Sequence, residues 1–234
     1  MFLLKRFSIL VITAVIAVSA VSAQAKSGKE KTIEESYLQE SIELMIIRET
    51  ARAESRDQKL IALDYIRDAI NRGNKTDEIR QTLDYLAREG RNSVNRQNGR
   101  VINNFPDVRR QAAKYLGQMG TEEAQRSLMD ITQYENEPMV LQEAIKSLGE
   151  IGLNDNNETV EHIAWIVRKF DFLNPDNLMA IATIDAFEKI AKKNNGFRSP
   201  SAFQILLRIA EGNYVTPVKE RAKQLLADLR SYGD

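Results

Sequence analysis

The chain contains no cysteine and only one histidine among its 234 residues. Disulfide staples, thiolate metal sites, thiol nucleophiles and lipid attachment through an N-terminal cysteine are therefore excluded. The single histidine, His162, cannot supply the clustered ligands that a transition-metal site usually gathers. A serine triad would have to be built around it, and no Gly-x-Ser-x-Gly turn presents the serine. Glycine loops that cradle phosphates or dinucleotides are also missing. An excess of one charge is missing too, since 33 Lys and Arg balance 33 Asp and Glu. Nothing in that balance marks the chain for nucleic acid or for an anionic membrane surface. The carboxylate pairs Glu34–Glu35 and Glu122–Glu123 lie at expected helix starts, where they favour the positive end of the dipole rather than acid–base work. The residues thus point to no catalytic group, no bound metal and no cofactor.

The first stretch stands apart from the rest. Lys5 and Arg6 precede an apolar run from Phe7 to Val18, and small residues follow up to Ala25. Both "VSA" (Val21 to Ala23) and "AQA" (Ala23 to Ala25) fit a small-x-small cleavage pattern. Residues 1–25 read as an export signal cut after Ala23 or Ala25, which sends a soluble protein to the periplasm or outside the cell. No membrane insertion is expected after cleavage. A retained anchor is the alternative, because the run from Phe7 to Ala23 approaches spanning length. Residues 26–33, beginning "KSGKEKT", have the composition of a flexible charged tether. Residues 34–234 form the expected folded part.

What the chain does have is a repeat. "PDVRRQAAKYLGQMG" (Pro106 to Gly120) and "PMVLQEAIKSLGEIG" (Pro138 to Gly152) align at Val108/Val140, Ala112/Ala144, Leu116/Leu148 and Met119/Ile151. Those apolar positions step by four, four and three, which is one stripe on an α-helix. Weaker copies carry Met179, Thr183, Phe187 and Ile190, then Val218, Ala222, Leu226 and Leu229. A degenerate copy uses Ala62, Ile66 and Ala69. Amphipathic segments lie between the copies, with Ala124, Leu128 and Ile131 on one face of the first. The next two present Val160, Ile163, Ala164, Val167 and Phe170, then Ala202, Leu206 and Ile209. Thr121, Asn174, Ser199 and Thr216 read as helix caps, and glycines 120, 152 and 196 as helix ends.

Alternation of period two never develops, so the expectation is an all-α chain with no sheet. Ten helices are expected in five pairs, at roughly 34–52/57–72, 76–90/106–119, 121–134/138–151, 158–171/176–194 and 200–211/217–231. Helix pairs repeating every thirty to forty residues mean an α-solenoid, a superhelix in which each pair buries its stripe on its neighbours. The alanines at 112 and 144 are expected to let helices approach closely. The Asn- and Gly-rich connection from Gly90 to Phe105 is long for a helical bundle. It reads as a flexible insertion rather than as a binding loop.

The two aligned phrases resemble the second helices of bacterial HEAT-like repeats, through the pattern "V…A…LG.IG". The resemblance is good over residues 106–152, fair over 158–231 and degenerate over 34–90. It implies an α-solenoid of about five helix pairs used mostly for protein–protein contact, and no single activity. Some HEAT-like hydroxylases carry several His-Glu pairs that bind two irons, whereas this chain has one Glu161–His162. DNA glycosylases of this type usually present a continuous basic surface. Stacked exposed positions here read Arg110–Gln142–Ile181–Glu220, Lys114–Lys146–Asp185–Gln224 and Gln118–Glu150–Lys189–Asp228. Signs are mixed along each row, so no phosphate-tracking stripe exists.

The same rows suggest a partner-binding surface. Met139, Leu178 and Ile181 would form an apolar centre beside Arg110, Lys114 and Lys146. Burial of the three apolar side chains by neighbouring helices is the competing expectation. Trp165 is expected to pack between helices. The function expected is a non-enzymatic scaffold or adaptor for a protein partner in the cell envelope. The alternatives are an enzyme or enzyme-accessory protein of the bilin-lyase type and a self-associating part of an envelope machine.

Overall fold

The computed structural model describes residues 32–91, 94–170 and 175–232. The expected export signal and nearly all of the tether lie outside the described residues, as does Asn174. Ten α-helices occur among the described residues. They are α1 (Ile33–Arg52), α2 (Arg56–Asn71), α3 (Asp77–Ala87), α4 (Pro106–Met119), α5 (Glu122–Tyr134), α6 (Pro138–Ile151), α7 (Glu158–Phe170), α8 (Asn177–Asn194), α9 (Pro200–Glu211) and α10 (Thr216–Ser231). A 3-10 turn, Asp155–Asn157, precedes α7.

The chain divides into two compact units, Met1–Ile42 and Glu43–Asp234. In the first, Thr32 and Glu35 open α1 with a reciprocal cap, each backbone N–H donating to the other's side chain at 3.2 Å. In the second, α2, α4, α6, α8 and α10 stack as one layer, and α3, α5, α7 and α9 stack as the other. That is the solenoid expected from the repeat. The stripes face the interior: Val108, Ala112, Leu116 and Met119 are buried, and so are Val140, Ala144, Leu148 and Ile151. The weaker copies behave alike, from Met179 to Ile190 and from Val218 to Leu229. Each fully buried Leu, Ile or Phe contributes roughly 1.5–3 kcal/mol relative to exposure.

Close approach falls to glycines rather than to the alanines alone. A Cβ built on Gly117 would sit 2.7 Å from Ser147, and one on Gly149 would sit 2.6 Å from the Cα of Ala186. The "LG" of the repeated phrase is thus where α4 meets α6 and α6 meets α8. The closing glycines, Gly120 and Gly152, end their helices in the left-handed region at φ 72° and 67°, where a Cβ is unfavourable.

Local signals held in part. The Thr121 hydroxyl accepts from the N–H of Ala124, and the Ser199 hydroxyl from that of Ala202. Thr216, by contrast, lies inside α10, and Val215 occupies the cap position. The cap of α8 is Asp176, which accepts from the N–H groups of Leu178 and Met179. Asn195 ends α8 in the left-handed region, one residue before Gly196.

The expectation of no sheet needs correction. Strands β1 (Arg96–Gln97) and β2 (Arg100–Val101) pair antiparallel within the long connection. Asn98 and Gly99 both have positive φ, 52° and 79°, as a two-residue hairpin turn requires. Two-residue strands are too short to show alternation, which is why no period-two pattern announced them.

A buried ionic network anchors this connection. Arg109 is fully buried and donates to Glu135 at 2.6 Å, to the Glu89 carbonyl at 3.1 Å and to Asn104 at 2.9 Å. Arg91 also donates to Glu135, at 2.7 Å. Lys59 reaches Glu89 at 3.0 Å and donates to the Ala51 carbonyl at 2.9 Å. Burial opposes the charge on Glu135. Hydrogen bonds from Arg109 and from the N–H groups of Glu137 and Asn136 outweigh it and hold the carboxyl below its usual range. Arg109→Leu should destabilise the protein by about 3–5 kcal/mol in urea unfolding, because Glu135 is left buried beside too little positive charge. Adding Glu135→Leu should recover much of that loss. A double variant no more stable than the single would show that the charges are not coupled.

Candidate partner-binding surface

The six residues singled out from the repeat rows lie on α4, α6 and α8, successive helices of one layer. Pro138 sets the first turn of α6, which places Met139 at its second position, while the Asp176 cap places Leu178 at the second position of α8. Both side chains therefore sit at the rim where one layer's helices cross to the other's. Met139 is 40% exposed and Leu178 63%. Ile181, one turn deeper, is half-buried and packs against the core. Burial by stacking thus claims Ile181 and leaves the other two open. Beside Leu178 runs a shallow groove lined by Pro138, Phe170 and Pro175.

Arg110, Lys114 and Lys146 are all exposed, and none forms an ion pair among the described residues. Lys114 and Lys146 each lie eight residues into their helix, about 12 Å from its start. Farther along the layer two cations are engaged across helices. Arg221 bridges Asp185 and Glu188 at 2.8 Å each, and Lys189 pairs with Glu150. Glu150 and Lys189 stand in one predicted row, so their contact confirms the row. The surface accordingly runs from free cations on α4 and α6 to apolar side chains on α6 and α8.

Other sequence candidates settle differently. His162 Nε2 lies 2.6 Å from the Thr132 hydroxyl, which donates its proton to the Met129 carbonyl at 2.8 Å. A hydroxyl has one proton, so the imidazole is the donor toward Thr132. Trp165 does not wedge between helices as expected. It is 41% exposed, beside His162 and with the Lys169 ammonium 5.2 Å from its ring centre. Trp165 follows the layer's stripe residues Ile163 and Ala164 round to the solvent side of α7, which explains the difference. Among the described residues, no three His, Asp or Glu side chains gather as a metal would require. Likewise, none of the described helices is long and apolar enough to cross a membrane.

Sequence reasoning missed the buried charges and the hairpin. One signal was available: aligning Pro106 with Pro138 places Arg109 opposite Leu141. A cation at a position where the copy carries a core leucine marks a buried ion pair.

Residues 101–169 match the family model of HEAT repeats. That segment of the chain is built of HEAT-like repeats. The matched segment runs from β2 through α7 and contains both copies of the repeated phrase. Comparison with curated proteins found no match. Within these HEAT repeats, α4 and α6 supply the cations and Met139, while α8, which supplies Leu178, continues the same layer beyond the matched residues.

His162 also links the repeats to pH. Burial lowers its pKa, and the opposing influence of Asp130 and of the Met129 carbonyl does not cancel that shift. A base with a depressed folded pKa takes up its proton more readily when unfolded. Its stabilising contribution is therefore fully present above the ordinary imidazole value of about 6.5 and declines as pH falls toward the lowered folded value. His162→Gln should flatten the fall in urea-unfolding stability as pH drops below about 6.5. An unchanged slope would remove His162 as its source.

Proposed function

We propose that this HEAT-like protein is a non-enzymatic adaptor that holds a protein partner against the exposed rim formed by Met139 and Leu178 and the adjoining cations Arg110, Lys114 and Lys146. The observation that carries the reading is the exposure of two large apolar side chains at equivalent positions of successive helices, beside cations without ion-pair partners. An apolar centre with polar and charged neighbours is the usual form of a protein-recognition surface. A surface held by packed helices binds with little ordering cost, since its side chains stand on elements already fixed by the core.

The adaptor acts outside the cytoplasm in this reading, in the periplasm or beyond. Support comes from the basic Lys5–Arg6 pair, the apolar run that follows and the small-residue pattern ending at Ala23 or Ala25. Intact-mass measurement of the protein from its native envelope should give a chain starting at Gln24 or Lys26. A mass that includes residues 1–23 would favour the retained anchor.

The rim is tested with Met139→Asp and Leu178→Asp combined. Both positions are exposed, so unfolding stability should change by no more than about 0.5 kcal/mol. Partner recovery in affinity purification should fall at least tenfold relative to the unaltered protein. Equal recovery with unchanged helicity would remove this rim as the binding surface.

A further inference from the structure

The hairpin at residues 94–102 is held firmly and contributes nothing to the core. Every residue in it is exposed, including Val94, Val101 and Ile102 at 43%, 38% and 45%. Register pairs Arg96 with Val101 and Gln97 with Arg100, and the Ile102 N–H donates to the Asn95 carbonyl at 2.9 Å. Side chains alternate across strands, so each face of the hairpin carries one arginine and at least one aliphatic residue. Residues 94–102 contain no acid, and neither Arg96 nor Arg100 forms an ion pair among the described residues.

An isolated two-stranded hairpin is marginal in water, and this one buries no apolar side chain of its own. Its base supplies the order. Asn103, 5% exposed, donates to Glu89 at 2.9 Å and accepts from the Asn95 N–H at 2.9 Å. Arg109 then ties Asn104 and the Glu89 carbonyl to Glu135. Arg96 also donates to the Gly99 carbonyl at 3.3 Å, within the turn. Removing Arg109 and Lys59 from water is costly, and part of what that network achieves is a fixed pedestal for two arginines that form no ion pair among the described residues.

We propose that the hairpin is a docking element for an acidic segment of a protein partner that also carries aliphatic side chains. The inference rests on the adaptor reading and specifies the partner's chemistry. The hairpin occupies the connection between α3 and α4, equivalent to the connections that lead into Met139 on α6 and Leu178 on α8. Neighbouring helices stand about 8–10 Å apart, so α4 to α8 spans roughly 20 Å. About six extended residues cover that distance. The partner segment places its acids against the arginine of the hairpin face it lies on and its aliphatic residues toward Met139 and Leu178. Nucleic acid fits less well. The hairpin offers aliphatic rather than aromatic side chains for stacking, and the mixed rows on α4 to α10 provide no continuing track for phosphates.

The test is selection of a random dodecapeptide display library on the purified protein, with oligo-dT of twenty nucleotides as competitor. The unaltered protein should enrich peptides rich in Asp and Glu that also carry Leu, Ile or Val. Arg96→Glu with Arg100→Glu should weaken the best selected peptide at least tenfold and shift enrichment toward basic sequences, with helicity unchanged. Arg96→Lys with Arg100→Lys should keep the acidic preference. The proposal is overturned if the charge-reversed protein retains the same peptides, if the selected peptides carry no acidic bias, or if oligo-dT displaces them at equal concentration. An acidic selection alongside an unaffected Met139/Leu178 pull-down would leave the hairpin standing and remove the rim. The opposite pair of results would do the reverse.

Discussion

A single helical hairpin of this chain has an apolar stripe and nowhere of its own to put it. Stacking on the next pair is the constraint from which the rest of the second unit follows, and it sets how closely α4, α6 and α8 must approach. Gly117 and Gly149 stand at those crossings, where a Cβ would meet Ser147 or the backbone of Ala186. A methyl group at either crossing would push apart neighbouring helices of the layer that buries Leu116, Leu148 and Phe187. The repeated "LG" is therefore a packing requirement as much as a family signature.

Close stacking has a second consequence, in what it does to charge. Charged side chains caught in the interior must find partners there, and the chain gathers its buried ones in one place. Lys59, Glu89, Arg109 and Glu135 form a connected interior set around the root of the hairpin. Outside, the exposed ion pairs Lys189–Glu150 and Arg221–Asp185 link successive helices of one layer. Such exposed pairs contribute little stability, about 0–1 kcal/mol each. Their effect here is on the surface: they engage Lys189 of α8 and Arg221 of α10, while Arg110, Lys114 and Lys146 of α4 and α6 form no ion pair among the described residues. The hairpin adds Arg96 and Arg100, which likewise form no ion pair among the described residues.

The proposed adaptor function rests on this distribution rather than on the repeat itself. HEAT repeats provide a rigid ladder, and a ladder is compatible with many tasks. The proposed specificity lies where the ladder is irregular: at the rim with Met139 and Leu178, and at the hairpin that replaces an ordinary short connection.

Helix number, helix boundaries to within a few residues, the inward stripes and the layered stacking were all legible in the sequence, because helical period and repeat spacing are properties of neighbours along the chain. The row containing Glu150 and Lys189 was legible for the same reason. Which side chains stayed open was not. Ile181 and Leu178 are alike in composition and three residues apart, yet one packs against the core and the other projects into solvent, since only the position of the adjacent helix separates them. The burial of Arg109, the root of the hairpin and the exposure of Trp165 were decided in the same way. Each depends on groups distant in sequence that meet only once the layers have closed, and no local pattern records that meeting.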